Sequence, residues 1–134
     1  MTDARVQDVY EDRARAREFF AQAEDFVGDA DTHTLSAPSQ TVLLHNATLC
    51  ACDAILQAVG LRVTSGDRSH ALRLETALDQ LDGDTEELLE RLDASRERRN
   101  EASYAAGFVA QTSLSDAREA TTELIELARR FVEA

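Results

Sequence analysis

Apolar residues recur at three- and four-residue steps through almost the whole of this chain, and that spacing restricts its fold more than any other feature. Such steps stack side chains on one side of an α-helix, whereas a half-buried strand alternates every second residue. Val6, Val9, Arg13, Ala16, Phe20, Ala23 and Val27 predict a first helix, capped by Thr2 or Asp3 and ending near Gly28. The polar stretch 29–36 carries no pattern and reads as a loop. Pro38 suits the first turn of a second helix running to about Val59, with Gly60 as its stop. Val42, Leu43, Leu49, Cys50, Ala54, Ile55 and Ala58 spread around most of its circumference, as expected of a helix in the middle of a bundle.

Thr64-Ser65-Gly66-Asp67 is turn chemistry, and a short third helix with Leu72, Leu74 and Leu78 begins near Ser69 and ends at Asp82-Gly83. Asp84, with Glu87 three residues on, opens a fourth helix with a capping box, and the pattern continues to Gly107. Ser113 or Ser115 caps a fifth helix through Ala117, Ala120, Leu124, Leu127, Ala128 and Phe131, with Arg129 and Arg130 favouring its C-terminal dipole. The expectation is an all-α single domain over residues 1–134, an antiparallel four-helix bundle with one extra short helix. Aromatics at 5% and one proline favour packing through Leu, Ala and Val over a sheet.

The net charge is −12, and all 14 basic residues are arginine. A surface this acidic opposes broad binding to nucleic acid or to an anionic membrane, so any RNA contact has to be local. The N-terminus opens without an apolar signal region, and no run approaches the roughly 20 apolar residues of a membrane span, so a cytoplasmic location is expected. Cys50 and Cys52, two apart on a helix, point to different faces and can neither pair nor chelate together easily. They fit small buried residues of a reducing compartment.

The stripe along the fourth helix reads Thr85, Leu89, Leu92, Arg96, Arg99, Ser103 and Ala106. It starts apolar and turns polar halfway. Residues 91–99 hold four arginines against two acids, a local positive excess inside an acidic chain, and Asn100 and Tyr104 border the stripe. A guanidinium on a core-facing stripe needs an acceptor or a cleft, because burying it unpaired is very costly. Two accounts stay open. Either the arginines pair with Asp and Glu on neighbouring turns and helices, or they line a cleft that takes a phosphate or other anion.

Three stretches resemble the HEPN superfamily of prokaryotic helical domains, and an actinobacterial-type branch of it in particular. They are Cys52-Asp53-Ala54-Ile55-Leu56 with Gly60, Ser65-Gly66-Asp67 with His70-Ala71, and Arg98-Arg99-Asn100-Glu101-Ala102-Ser103-Tyr104 followed by Val109 and Ala117. Together they span about Gln40 to the C-terminus. The resemblance implies a homodimer with an RNA- or nucleotide-facing site from Arg96, Arg98, Arg99, Asn100, Ser103 and Tyr104, and a possible antitoxin partner protein. Active HEPN ribonucleases carry an arginine, four to six residues including a polar one, then a histidine, and cleave RNA without metal. Here Arg98 plus four residues reaches Ser103, and Arg99 plus four reaches Tyr104. Ser103 stands where the histidine belongs. Serine at its ordinary pKa cannot shuttle a proton effectively near neutrality, and tyrosine is a poor base, so phosphate binding with weak or no turnover is expected.

Asp53 is a candidate acceptor orienting Arg96 or Arg99. His45 and Asn46 interrupt the second helix, and a satisfied core histidine is the simpler account. His70 is expected to hydrogen-bond the Ser65–Asp67 turn. Asp29-Ala30-Asp31-Thr32-His33 resembles the opening of a calcium loop but lacks its sixth-position glycine and distal glutamate. No cofactor and no metal is expected. An endoribonuclease, a non-catalytic nucleotide- or RNA-binding module and a structural dimer module all remain open.

Overall fold

A computed structural model of the chain describes residues 5–32, 34–64, 66, 69–104 and 111–133, and their side chains except at 96, 98–104, 111 and 112. In chain order the elements are β1 (Val6–Asp8), α1 (Arg13–Ala30), α2 (Ala37–Val59), β2 (Leu61–Val63), α3 (Ser69–Leu78), α4 (Glu86–Tyr104) and α5 (Gln111–Glu133). The chain is thus mostly helical, with a small two-stranded antiparallel ribbon.

The ribbon corrects the sequence reading. Thr2 and Asp3, the expected caps, lie outside the described residues, and over Val6–Asp8 the expected helix is replaced by a strand in which Val6, Gln7 and Asp8 pair with Val63, Arg62 and Leu61. The helix begins only after Asp12, whose carboxylate accepts the Arg15 N–H at 2.9 Å. Val6 and Val9 suit either structure, and the choice falls to a partner strand more than fifty residues away that no local pattern shows.

Beyond the ribbon, the Val9 N–H donates to the Gly60 carbonyl at 2.9 Å and the Asp12 N–H to Gln57 at 3.0 Å, so the N-terminal segment satisfies carbonyls at the end of α2. Gly60 makes this approach possible. It sits at φ +77°, and a Cβ there would stand 2.6 Å from the Val9 carbonyl oxygen.

α2 starts on Ser36, whose hydroxyl accepts the Ser39 N–H, and has Pro38 in its first turn. It packs against α1, α3, α4 and α5 alike. By length and composition this helix is apolar enough to cross a membrane, contrary to the expectation that no run comes close, but 56% of its apolar window is packed inside the protein. The Asp12–Gln57 bond and the contact of Ala30 with Leu44 make α1 antiparallel to α2. Leu44 clusters with Leu114 and Ala117 while Thr48 meets Thr121, so α2 and α5 run the same way.

Arg91 of α4 meets Glu123 of α5 at 2.9 Å. If those helices ran the same way, Tyr104 and Gln111 would stand about 37 Å apart, whereas seven residue steps reach about 25 Å. They are therefore antiparallel.

Other boundaries move by a few residues. α1 runs past Gly28 to Ala30, and α3 ends at Leu78 rather than Asp82-Gly83. α4 begins at Glu86, with the Asp84 carboxylate accepting the Glu86 N–H at 3.0 Å in place of the Asp84–Glu87 box. α5 begins at Gln111, so Ser113 and Ser115 lie inside it. Gly107 lies outside the described residues.

The apolar interior is divided. A large cluster joins Phe20, Ile55, Leu74, Leu78, Leu88, Leu92 and Leu124, and a smaller one joins Ala30, Leu44, Leu114 and Ala117. Between them on α2 lie the buried polar residues His45 and Thr48, and on α5 Thr121.

Candidate functional site

The fourth helix is unbroken from Glu86 to Tyr104, so the whole arginine-rich segment is helical. Its buried face runs through Leu88, Leu92 and Ser95; Leu92 of the expected stripe is buried, whereas Leu88 takes the place of Leu89, which is only half-buried. Ser95 is 2% exposed, and its hydroxyl has no hydrogen-bond partner among the described residues. This face thus carries a buried polar side chain at Ser95. The side chains of Arg96, Arg98, Arg99, Asn100, Ser103 and Tyr104 lie outside the described residues.

Contacts on the neighbouring helices fix the level of this segment. Counting from the Arg91–Glu123 and Thr48–Thr121 contacts at about 1.5 Å per residue, His45 lies at about the level of the Arg96 backbone. The buried polar residues of α2 and α5 thus begin where the α4 sequence becomes basic.

Asp53, on α2, pairs with Arg73 of α3 at 3.5 Å. Burial raises the Asp53 carboxyl above its ordinary value, against the opposing pull of the Arg73 and Arg15 guanidinium groups. Arg73 was not legible as its partner. It sits beside Leu74 on a helix whose apolar face gave no reason to single it out.

Cys50 and Cys52 are free thiols. Burial, then the Asp53 charge, pushes both above the ordinary thiol value, so neither is a ready thiolate nucleophile. Cys50 points toward α1, its sulfur 3.8 Å from the Gln22 side-chain oxygen.

His45 is buried at 4% exposure and faces the His70 ring of α3, with centroids 5.6 Å apart and planes tilted by 46°. This pairing had no sequence signal, since 25 residues separate the two. Ser65 and Asp67, the turn residues expected to receive His70, lie outside the described residues, as does His33. Of the calcium-like stretch, Asp29 and Ala30 close α1 and Asp31 pairs with Arg118 at 3.0 Å. Among the described residues no three His, Cys, Asp or Glu side chains gather as metal ligands.

Two of the grooves on the described surface lie against α5. One, of about 130 Å³, is lined by Gln80, Leu81, Asp82, Leu127, Arg130 and Phe131, and is too small for a nucleotide. The other, of about 390 Å³, lies between α4 and α5 against Glu90, Arg91, Ala94 and Asp116. It is shallow, and its one cation is already held by Glu123, so its own charge does not favour an anion.

No protein-family model matches this chain, and no curated protein matches it.

Proposed function

We propose that this chain is a HEPN-like helical bundle whose Arg96–Tyr104 segment binds an anionic ligand, RNA or a nucleotide, across a homodimer interface in the cytoplasm. In this reading α1, α2, α4 and α5 are the four long helices of the bundle and α3 is the additional short one. The observation that carries it is the run of α4. The helix continues without a break past the buried Leu88–Leu92–Ser95 face, and three arginines follow within the next four residues. A helix bearing guanidinium groups on successive turns supplies forked donors suited to phosphate oxygens. With Ser103 where a proton-transferring histidine would be needed, binding without turnover is the expected behaviour.

Fluorescence anisotropy with a labelled single-stranded RNA, and separately with a labelled nucleotide, tests this at low and high salt. Binding that weakens as salt rises, and about tenfold or more in both Arg98→Ala and Arg99→Ala, supports the reading. RNA cleavage that survives chelation and dies in Arg99→Ala replaces it with a metal-independent endoribonuclease.

A structural or partner-binding module is the second reading, and a specific observation favours it. Arg73, Arg91, Arg118 and Arg129 each meet a carboxylate, at 3.5, 2.9, 3.0 and 3.0 Å. A chain that spends its arginines this way predicts no anisotropy change, together with a stable dimer in sedimentation.

A further inference from the structure

We propose that the groove between the α3–α4 connection and the last turns of α5 binds a free apolar α-amino acid. Arg130 takes its carboxylate, Asp82 its ammonium group, and the groove floor its side chain. The floor is Leu81, Leu127 and Phe131, each half-buried and packed against the main apolar cluster. An apolar cavity of about 150 Å³ admits benzene, so this groove of about 130 Å³ takes one branched aliphatic side chain or a single ring at most.

The charges on the rim select the rest of the ligand. Arg130 and Asp82 are both exposed, and neither closes an ion pair or a side-chain hydrogen bond with any described residue, including each other. By contrast, the neighbouring Arg129 is held by Glu24 and Glu126. Opposite charges that line one groove without meeting leave room for a ligand that carries both. A zwitterion satisfies the two at once, whereas a plain carboxylate meets Asp82 as a like charge and a plain amine meets Arg130.

Both walls are set in advance. The Gln80 side-chain N–H donates to the Thr76 carbonyl, and the Gln80 and Leu81 amides donate to the Ala77 and Leu78 carbonyls, each at 3.1 Å. These bonds fix the connection as it leaves α3. Across the groove, the Arg13 guanidinium donates to the Phe131 carbonyl at 3.1 Å and ties the end of α5 to α1. A site with ordered walls loses little affinity to rearrangement. The groove does not involve the Arg96–Tyr104 segment, so its ligand is independent of the one proposed there.

Calorimetry and two-dimensional NMR of the full chain with L-leucine test this. The expected result is one saturable site per chain at about millimolar affinity, as suits so small a ligand in an open groove, with amide shifts centred on Leu81, Leu127 and Phe131. N-acetyl-leucine lacks the ammonium charge and leucine amide lacks the carboxylate, and each binds about three- to fivefold more weakly. Arg130→Gln and Asp82→Asn weaken leucine binding to the same degree without touching the core, whereas Arg17→Gln on the surface of α1 leaves it intact. In Asp82→Asn the preference for leucine over N-acetyl-leucine disappears, because the group that reads the ammonium is gone. Absence of saturable binding, N-acetyl-leucine binding the native chain as tightly as leucine, or leucine binding unchanged in Arg130→Gln overturns the proposal.

Discussion

Thr48 of α2 and Thr121 of α5 share a hydrogen bond of 3.1 Å between hydroxyls that are both sealed from solvent. The Thr48 hydroxyl also donates to the Leu44 carbonyl at 3.1 Å, which uses its only proton, so Thr121 is the donor of the shared bond. Thr48→Val leaves the buried Thr121 hydroxyl without this acceptor and is expected to cost about 1–3 kcal/mol, whereas Thr121→Val costs less because Thr48 keeps its bond to Leu44. The Thr48→Val/Thr121→Val double variant should recover part of the loss. Urea unfolding of the four proteins in a double-mutant cycle measures this coupling, and strict additivity would show that the two hydroxyls act independently.

Gly60 joins the end of α2 to the N-terminal segment, its carbonyl accepting the Val9 N–H and its Cα lying close against the Val9 carbonyl oxygen. Gly60→Ala places a Cβ 2.6 Å from that oxygen and forces alanine into the left-handed region. The expected cost is about 1–3 kcal/mol. Hydrogen exchange at the Val9 amide, which donates to the Gly60 carbonyl, should accelerate more than exchange in the α2 interior. Equal acceleration at both would mean that the segment does not open locally.

Asp53 carries a pH signature. Its folded-state pKa is raised by burial above the ordinary 3.8, so in the window above that value the folded chain binds more protons than the unfolded one. Its contribution is fully present below about pH 4 and declines as pH rises through the folded value. Stability of the native chain relative to Asp53→Asn should therefore fall as pH increases from about 4, measured by denaturant unfolding at each pH. A difference that grows with pH would show that the Arg73 ion pair outweighs burial.

Leu92 lies on the buried face of α4 at 1% exposure, and Leu89 beside it is half-buried. Leu92→Ala is expected to cost about 2–5 kcal/mol and Leu89→Ala clearly less. A reversal of that order in thermal unfolding would show that Leu89, and not Leu92, is the more deeply packed of the two.

Most of the helical content was legible in the sequence because the forces that write it are local. Ser36 and Pro38 start α2, Gly60 stops it, and its apolar circumference foretold the central packing. On α4 the expected stripe caught the buried Leu92 but took Leu89 where Leu88 is the buried residue, and its polar continuation from Arg96 lies outside the described side chains. A stripe counted at alternating steps of four and three cannot distinguish Leu88 from Leu89 until α2 and α5 press on one of them. Asp53 was singled out, while its partner Arg73 was not, because an ion pair between helices leaves no spacing rule to read.

What the sequence determined by itself was the helix-forming periodicity, the terminating glycine of α2, the acidic balance and the arginine concentration on α4, all properties of residues a few positions apart. Only the tertiary structure decided that Val6–Asp8 is a strand, that Thr48 meets Thr121, and that His45 faces His70. Each of these joins residues 25 to 73 positions apart, and which distant partner is met depends on how whole helices pack.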